Sequence, residues 1–359
     1  MLCISWILWL RNDLDAQQLA KKFQADAEIL AEGFIKSYGL KFSRELNHLD
    51  SPLFRWLDFV LRYVESKPRR ILCSDMFPKR NLPKGAIKGL QHLANLITSG
   101  KDINPYQGRG LILKNDTSSQ TRDKRTDLLW ADWGVLHFHL TAAPIPEGQF
   151  FSEPSDYLAF CIVENEAVGF IDVRRHPCKK GFSDPELMTI VHRCWPQYLE
   201  RSRLKGVSGL SDESARSMEE VHNLRTNGVN SFLKIDGHIY TSPGMGVTSA
   251  STSTRVSMAA MRLARLIEEL ARYVCNPQSG CQKTVLERGV NDPGYSLKLT
   301  PQGLVVHEKQ SDIGFLLTSS PHSEVVTWLD ELVNLIAPKW VVSYLASEKG
   351  QVAVSKILG

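Results

Sequence analysis

Apolar side chains in the first hundred residues recur every three or four positions, which is the spacing of one helix face. A helix over about residues 13–38 is predicted by the stripe Leu19, Phe23, Ala27, Leu30 and Phe34. A second helix is predicted to begin at Pro52, after the capping residue Ser51, and to end before Pro68. A third, stopped by Gly100, contains Ile87, Leu90, Leu93, Ala94 and Ile97. The N-terminal region is therefore predicted to be helical.

In two segments of this region, apolar side chains do not recur at the spacing of a helix or a strand. The first ten residues are apolar but have neither a basic start nor a small-residue cleavage site. They favour a buried strand or short helix over a signal peptide. Residues 102–126 are rich in Asn, Gly, Ser, Thr and charge, and predict a long loop that is either functional or mobile.

The pattern changes at Leu128, after which polar and apolar residues alternate. Three segments read as half-buried strands: residues 134–140, 156–163 and 167–175. Ser183 and Glu186 then have the spacing of a capping box, which predicts a helix that ends at Pro196. Residues 128–200 therefore predict a three-stranded antiparallel sheet with a helix.

The remaining residues mix shorter elements. A helix over 212–225 precedes two short strands, which are joined by Asp236 and Gly237 as a type I′ turn. A glycine- and hydroxyl-rich stretch follows at 242–254, and an amphipathic helix starts near Val256. The last residues predict a small sheet (295–299, 304–307 and 314–318), a helix over 323–336 and an apolar tail over 340–358.

These patterns predict an α+β protein with a helical N-terminal region, a central small antiparallel sheet with helices, and a small α+β C-terminal part. A chain of 359 residues exceeds the ~250–300 that one core usually holds. We predict four consecutive segments: 1–126, helical with a basic second half; 127–205, the sheet; 206–282, helix, hairpin, Gly/Ser loop and helix; and 283–359, small and α+β.

Composition excludes several classes of protein. At 43% hydrophobic and 23% charged residues, the chain is too apolar to be disordered. Apolar runs fall short of the ~20 residues of a membrane helix, so no membrane association is predicted. The seven cysteines are scattered and form no CxxC pair, which excludes a zinc finger or a disulfide scaffold. This cysteine usage predicts a cytoplasmic protein.

Positive charge is concentrated in one interval. The net charge is +4, but residues 67–130 alone carry 13 basic and 5 acidic side chains. Such an excess attracts polyanions, so RNA or another polyanion is the predicted partner. The candidate nucleic-acid-binding residues are Arg109, Lys114, Arg122, Lys124 and Arg125. The alternative is a solvated surface whose acidic partners lie elsewhere in the fold.

Histidines supply the candidate chemistry. His137 and His139 are two apart on one predicted strand, so their side chains leave the same face. By the same period Asp172, Arg174 and His176 share a face of another strand. If the two faces coincide, the histidines can transfer protons near neutral pH and the arginine can hold a phosphate. Surface histidines and a local ion pair are the alternative.

The segments GVLHFHL, DYLAFCIV and AVGFIDVRRH occur in that order within residues 128–200. This succession resembles the sheet of the RelE/HigB-like mRNA interferase toxins. The resemblance implies metal-independent cleavage of RNA by attack of the ribose 2′-OH on the adjacent phosphate, without a cofactor. It implies that Arg174 stabilises the phosphorane and that His137, His139 or His176 serve as base and acid. It also implies a toxin or phage-defence effector, for which an inhibitor protein would be a further partner.

Two other functions remain open. His137, His139, His176 and Asp172 have the chemistry of zinc, manganese or iron ligands in a hydrolase. The fixed positive charges of Arg174 and Arg175 oppose a dication there, and no metal is predicted. The non-catalytic alternative is a nucleic-acid or protein-partner binding module, in which Trp130 and Trp133 either stack on bases or anchor a core.

The sequence Gly244-Met-Gly246, ahead of a predicted helix, has two interpretations. Backbone N–H groups at such a point can hold an anion. Without a P-loop lysine or a GxGxxG pattern, however, a nucleotide fingerprint is absent. The segment favours a loop in which Ser253 or Thr254 caps the helix.

Overall fold

The computed structural model describes residues 2–77, 81–176, 179–207, 217–318 and 328–347. Its helices are α1 (Leu2–Ser37), α2 (Pro52–Arg62), α3 (Lys84–Thr98), α4 (Leu128–Trp133), α5 (Glu186–Cys194), α6 (Pro196–Glu200), α7 (Met218–Thr226), α8 (Thr254–Cys275), α9 (Gly280–Glu287), α10 (Trp328–Ile336) and α11 (Lys339–Ala346). Its strands are β1 (Arg70–Cys73), β2 (Val135–His139), β3 (Tyr157–Val163), β4 (Ala167–Arg175), β5 (Leu233–Ile235), β6 (His238–Tyr240), β7 (Tyr295–Thr300), β8 (Gly303–Glu308) and β9 (Ile313–Leu316). The protein is α+β, as predicted.

The predicted N-terminal helices are confirmed with changed ends. Helix α1 starts at Leu2, so the apolar first residues continue the helix predicted from about residue 13. Helix α2 follows Ser51, whose hydroxyl accepts a hydrogen bond from Phe54 N at 3.2 Å, and it ends at Arg62, before Pro68. Helix α3 ends before Gly100, which has a φ of 70°.

Several predictions reach outside the described residues. The helix predicted over 212–225 appears as α7, and residues 208–216 lie outside the described part of the chain. The same holds for residues 319–327, so that only 328–336 of the predicted 323–336 helix is described. Of the apolar tail, residues 340–346 lie in α11 and those from 348 onward are not described.

The chain forms two compact units that are discontinuous in sequence. One contains residues 2–40, 50–60 and those described from 258 onward, and the other contains 41–49 and 61–257. This division differs from four consecutive segments because both ends of the chain share the first unit. There Asp26 Oδ2 accepts a hydrogen bond from Leu297 N at 2.8 Å. Trp56 Nε1 similarly donates to Ile336 O at 2.8 Å.

The first unit combines an aromatic core with a small sheet. The ring centroids of Phe34 and Trp56 lie 4.7 Å apart, and those of Tyr38 and Tyr344 lie 4.4 Å apart. Strands β7, β8 and β9 form an antiparallel sheet in that order, which confirms the predicted C-terminal strands within two residues at each end. This unit contains none of the candidate site residues.

The second unit is built on a four-stranded sheet in the order β1-β4-β3-β2. The prediction of three antiparallel strands was incomplete, because β1 adds a parallel edge with Arg70 opposite Ala167. This strand has only four residues and is largely exposed, so it lacks the apolar alternation that marks a strand in sequence. Strands β2, β3 and β4 are antiparallel, as predicted.

A buried arginine joins three elements of this unit. Arg225 of α7 donates from Nε to Asp132 Oδ2 of α4 at 2.6 Å. Its Nη1 donates to Phe182 O at 3.0 Å and to Ser183 Oγ at 3.1 Å, and its guanidinium lies 3.9 Å from the ring centroid of Trp133. Arg225 and Asp132 are both almost fully buried, so each neutralises a charge that would otherwise be costly.

The capping box predicted at Ser183 does not form. Because the Ser183 hydroxyl accepts from Arg225, it caps no helix, and Glu186 pairs with Arg174 instead. Helix α5 begins at Glu186, where Asp184 Oδ1 accepts from Glu186 N at 3.0 Å. The capping-box geometry occurs at the start of α7, between Ser217 and Glu220.

The β5–β6 hairpin is confirmed. Asp236 and Gly237 have φ values of 49° and 74°, as a type I′ turn requires. The following stretch is a loop, as favoured from sequence, and α8 begins at the predicted place, Thr254. The hydroxyl of Ser253 does not cap the helix, because it is buried without a hydrogen-bond partner among the described residues. In the described part of the chain, no helix combines the length and apolarity needed to span a membrane.

Substitution of Arg225 by Met should lower the free energy of unfolding by about 3–5 kcal/mol, because Asp132 then remains buried without its cation. The double variant Asp132→Asn, Arg225→Met should lose less than the sum of the single losses. Urea denaturation checks this. Arg203→Met is the control, since the pairing of Arg203 with Glu200 is partly exposed and should contribute less than about 1 kcal/mol. Equal losses for Arg225→Met and the control would contradict this assignment.

Candidate functional site

Sheet register places the predicted polar residues on one face. His137 of β2 lies opposite Phe160 of β3, which lies opposite Asp172 of β4. His139, Leu158 and Arg174 form the next row, so β3 separates the two strands that carry the histidines and the arginine. Residues opposite one another in an antiparallel pair project to the same face of the sheet. The prediction of a shared face therefore agrees with the register.

The three predicted histidines lie close together. The ring centroids of His139 and His176 are 5.7 Å apart, and those of His137 and His139 are 6.5 Å apart. Phe182 lies against this group, with its ring centroid 5.0 Å from that of His137 and 5.9 Å from that of His176. These distances place three imidazoles within reach of one small substrate group.

The histidines line a cavity of about 390 Å³, which we call the histidine cavity. A short antiparallel bridge between Gln107 and Phe138 brings the loop at 107–110 to the outer edge of β2. The cavity wall therefore includes side chains that are distant in sequence: Arg109, Lys114, Asp127, His137, His139, His176, His222 and Arg225. Both proton-transfer groups and cations thus face one cavity.

His139 is held as a hydrogen-bond donor. Its Nδ1 accepts a hydrogen bond from Ser155 N at 3.1 Å, so in the neutral ring the proton lies on Nε2. Burial, together with the nearby His137 and His176, lowers the pKa of His139 to about 4. At neutral pH His139 is therefore an uncharged ring that can donate from Nε2.

His137 is arranged differently. Its Nδ1 lies 3.9 Å from Asp127 Oδ2 and has no hydrogen-bond partner among the described residues. Burial lowers the pKa of His137, which the charge of Asp127 partly offsets. A Cβ on Gly108 would lie 2.6 Å from His137 Nε2, so glycine is needed there to leave this nitrogen room. A neutral ring with Nδ1–H toward Asp127 leaves Nε2 as a proton acceptor.

Asp127 has two functions at this wall. Its Oδ1 accepts from the backbone N–H groups of Leu129 and Trp130 at 3.0 and 3.2 Å, which caps α4. Its Oδ2 is the oxygen that faces His137. The cap therefore fixes the carboxylate in the orientation that places it beside the imidazole.

Arg174 and Asp172 do not belong to the histidine cavity. Arg174 donates to Asp172 at 2.7 Å, to Asp184 at 2.5 Å and to Glu186 at 2.8 Å. Its charge is thus balanced by three carboxylates, and it borders a separate recess with Tyr157. The predicted role of Arg174 at the phosphate is corrected, since an anion there would meet three negative charges.

The predicted basic residues fall into two groups. Arg109 and Lys114 line the histidine cavity, and Lys124 is exposed. Arg122 donates to the carbonyl of Ser249 and to Ser251 Oγ. Arg125 is buried and donates to Ser119 O at 2.7 Å and Ala250 O at 2.5 Å.

Arg122 and Arg125 therefore hold the loop at 249–251, and their use as a free nucleic-acid surface is corrected. Trp130 and Trp133 are 3% and 0% exposed, so they anchor the core and cannot stack on bases. The long loop at 102–126 is likewise well packed, with Tyr106, Leu111 and all of residues 115–119 buried.

Sequence reasoning missed most of the cavity wall, including Gly108, Asp127, Phe182, His222 and Arg225. The position of Asp127 could have been predicted from sequence, because an aspartate ahead of an apolar run is a common helix cap. Nothing in the pattern of Phe182 or His222 linked them to the sheet, since their positions depend on the long-range contacts of Arg225 and α7.

Within the described residues, no three His, Cys, Asp or Glu side chains are grouped so that they could hold a metal ion.

Comparison with protein-family models, with curated proteins and with solved structures found no match. The resemblance to the RelE/HigB-like toxins accordingly stays a prediction.

The low pKa of His139 should make the protein lose stability in acid. A histidine has a pKa of about 6.5 in an unfolded chain, against about 4 for His139 in the folded protein. Between these values the unfolded chain binds more protons, so stability is full above about pH 6.5 and falls as the pH falls toward 4. Because the ring is partly exposed, we expect about 1–2 kcal/mol from this residue.

Urea denaturation at pH 7 and pH 4.5 measures this loss. His139→Asn, which keeps an acceptor for Ser155 N but cannot titrate, should lose less stability on acidification than the unsubstituted protein. His238→Asn is the control, because His238 is exposed on β6 and does not line the histidine cavity. Identical losses in all three proteins would show that His139 does not carry the effect.

Proposed function

We propose that the histidine cavity cleaves RNA phosphodiester bonds by metal-independent acid–base catalysis. The observation that carries this proposal is the convergence of His137, His139 and His176 on one cavity that Arg109 and Lys114 also line. Imidazoles move protons near neutral pH, and cations favour a bound phosphate. This combination fits phosphoryl chemistry better than the metal-dependent alternative.

The geometry supports distinct functions for the three rings. His137, whose Nδ1 lies 3.9 Å from Asp127 Oδ2, takes the proton of the ribose 2′-OH on Nε2. His139 donates from Nε2 to a phosphate oxygen, where negative charge increases in the transition state. His176, which is exposed to solvent, protonates the leaving oxygen. Arg109 and Lys114 neutralise the phosphate in place of Arg174.

The step balances without a co-reactant. The 2′ oxygen forms a bond to phosphorus as the bond from phosphorus to the 5′ oxygen breaks. The proton of the 2′-OH passes to His137, and a proton from His176 passes to the 5′ oxygen. The products are a 2′,3′-cyclic phosphate and a free 5′-hydroxyl, and DNA is not a substrate because it lacks the 2′-OH.

End-labelled RNA incubated with the protein in EDTA tests this function. The protein should produce fragments with 2′,3′-cyclic phosphate ends, and His137→Ala or His176→Ala should lower kcat/KM by about 10²–10⁴-fold. His238→Ala, on β6 outside the cavity, should retain full activity. Thermal midpoints of the variants separate a loss of chemistry from a loss of folding.

Other outcomes contradict the proposal in distinguishable ways. Cleavage that disappears in EDTA and returns with a divalent cation would indicate a metal-dependent hydrolase. Salt-sensitive retention of RNA without any cleavage would indicate the binding module instead. Equal cleavage by His137→Ala and the unsubstituted protein would show that the histidine cavity is not the catalytic centre.

A further inference from the structure

The largest cavity among those described lies apart from the histidines and has a volume of about 830 Å³. It is bordered by the end of β3, by α6, by the segment at 230–232 and by the loop at 241–245. None of its lining residues lines the histidine cavity. This volume is within the ~300–1,000 Å³ typical of small-molecule sites. We call it the Arg255 cavity.

Arg255 is the principal cation of this cavity. It lies in the first turn of α8, partly buried, with its guanidinium 5.1 Å from the ring centroid of Trp130. Among the described residues no carboxylate lies within ion-pair distance of it. The acid on the same wall, Glu164, pairs with Arg201 at 3.7 Å and acts on Arg255 only at longer range. Burial lowers the pKa of Arg255, but a guanidinium remains charged at neutral pH. Because Glu164 pairs with Arg201, the two arginines and one carboxylate leave this wall with a net positive charge, which favours the binding of an anion.

Two buried hydroxyls lie at the same cavity. Ser231 is 2% exposed and Ser242 is 8% exposed. Both line the Arg255 cavity, and neither hydroxyl has a hydrogen-bond partner within the described ranges. Buried hydroxyls without partners are uncommon, because each loses its hydrogen bonds to water on burial. Both hydroxyl oxygens are buried, so each would have to rotate toward the cavity to donate to an oxyanion bound beside Arg255.

The rest of the wall is suited to an organic group. Phe232 and Met245 are each 46% exposed although both are large and apolar, and both border the cavity. Ile162 and Pro243 add further apolar surface. An inorganic anion would fill only a small part of 830 Å³ and would leave these side chains uncovered. The wall therefore combines an oxyanion end with an apolar, partly aromatic end.

We infer that the Arg255 cavity binds a small phosphomonoester with a planar organic part, for which a nucleoside 5′-monophosphate is the simplest form. The phosphate lies on Arg255, Ser231 and Ser242, and the planar part stacks on Phe232. Three donor groups match the several oxygens of a phosphate better than the two of a carboxylate. This inference does not depend on RNA cleavage in the histidine cavity.

Isothermal titration of the full chain tests the inference with four probes: adenosine 5′-monophosphate, guanosine 5′-monophosphate, inorganic phosphate and adenosine. A nucleoside monophosphate should bind at least tenfold more tightly than inorganic phosphate and than adenosine. Binding of adenosine as tight as that of its monophosphate would contradict an oxyanion site. No binding of any probe would overturn the inference. Benzoate, a planar carboxylate, serves as a fifth probe, and tighter binding of benzoate would overturn the choice of phosphate.

Substitutions test whether the monophosphate binds in the Arg255 cavity. Arg255→Lys keeps the charge but loses the planar fork, and should weaken monophosphate binding at least tenfold. Arg203→Lys is the matched control, since Arg203 pairs with Glu200 and does not line the cavity, and it should bind as the unsubstituted protein does. Equal affinity of the two lysine variants would overturn the assignment.

Ser231→Ala tests binding in the Arg255 cavity if Arg255→Lys fails to fold. Removal of a buried hydroxyl that has no partner should leave the thermal midpoint of the free protein unchanged or raised. The same substitution should weaken monophosphate binding at least threefold, since it removes one donor to the phosphate. A lower midpoint with unchanged affinity would mean that Ser231 serves the fold and not a ligand.

Discussion

The buried contact of Arg225 with Asp132 is the constraint on which the histidine cavity depends. Arg225 connects α7 to α4 through Asp132 and, through Phe182 O and Ser183 Oγ, to the segment that follows β4. Phe182 is thereby held against the rings of His137 and His176. One guanidinium thus sets the positions of the cavity wall and of the helix that carries His222.

Charge in this protein is used mainly within the fold. The basic interval at 67–130 attracts attention in the sequence, yet Arg122 and Arg125 are occupied by backbone carbonyls of a loop more than a hundred residues later. Arg174 is surrounded by three carboxylates. Arg109 and Lys114 differ, since they line the histidine cavity. Arg255 also differs, because it faces a cavity in which the acid, Glu164, is paired with Arg201.

Local patterns predicted much of the fold but not its long-range assembly. The strands β2, β3 and β4, the hairpin turn at Asp236 and Gly237, and the face shared by His137 and His139 follow from periods of two and from turn chemistry. The parallel edge strand β1 was not predicted, because its four largely exposed residues show no alternation of apolar and polar side chains. The ion pairs of Arg174 with Asp184 and Glu186 were not predicted, because these acids contact it only after the chain turns back beyond β4.

The central claim is that His139 and His176 face one bound phosphate group, and ¹⁵N NMR of the histidine side chains tests it most directly. At pH 7 His139 should give the signals of a neutral ring protonated on Nε2. Addition of an RNA oligonucleotide that has 2′-O-methyl groups and resists cleavage should shift the signals of both rings with one saturation curve. A neutral His139 protonated on Nδ1, or a titration that moves the two rings independently, would contradict the account.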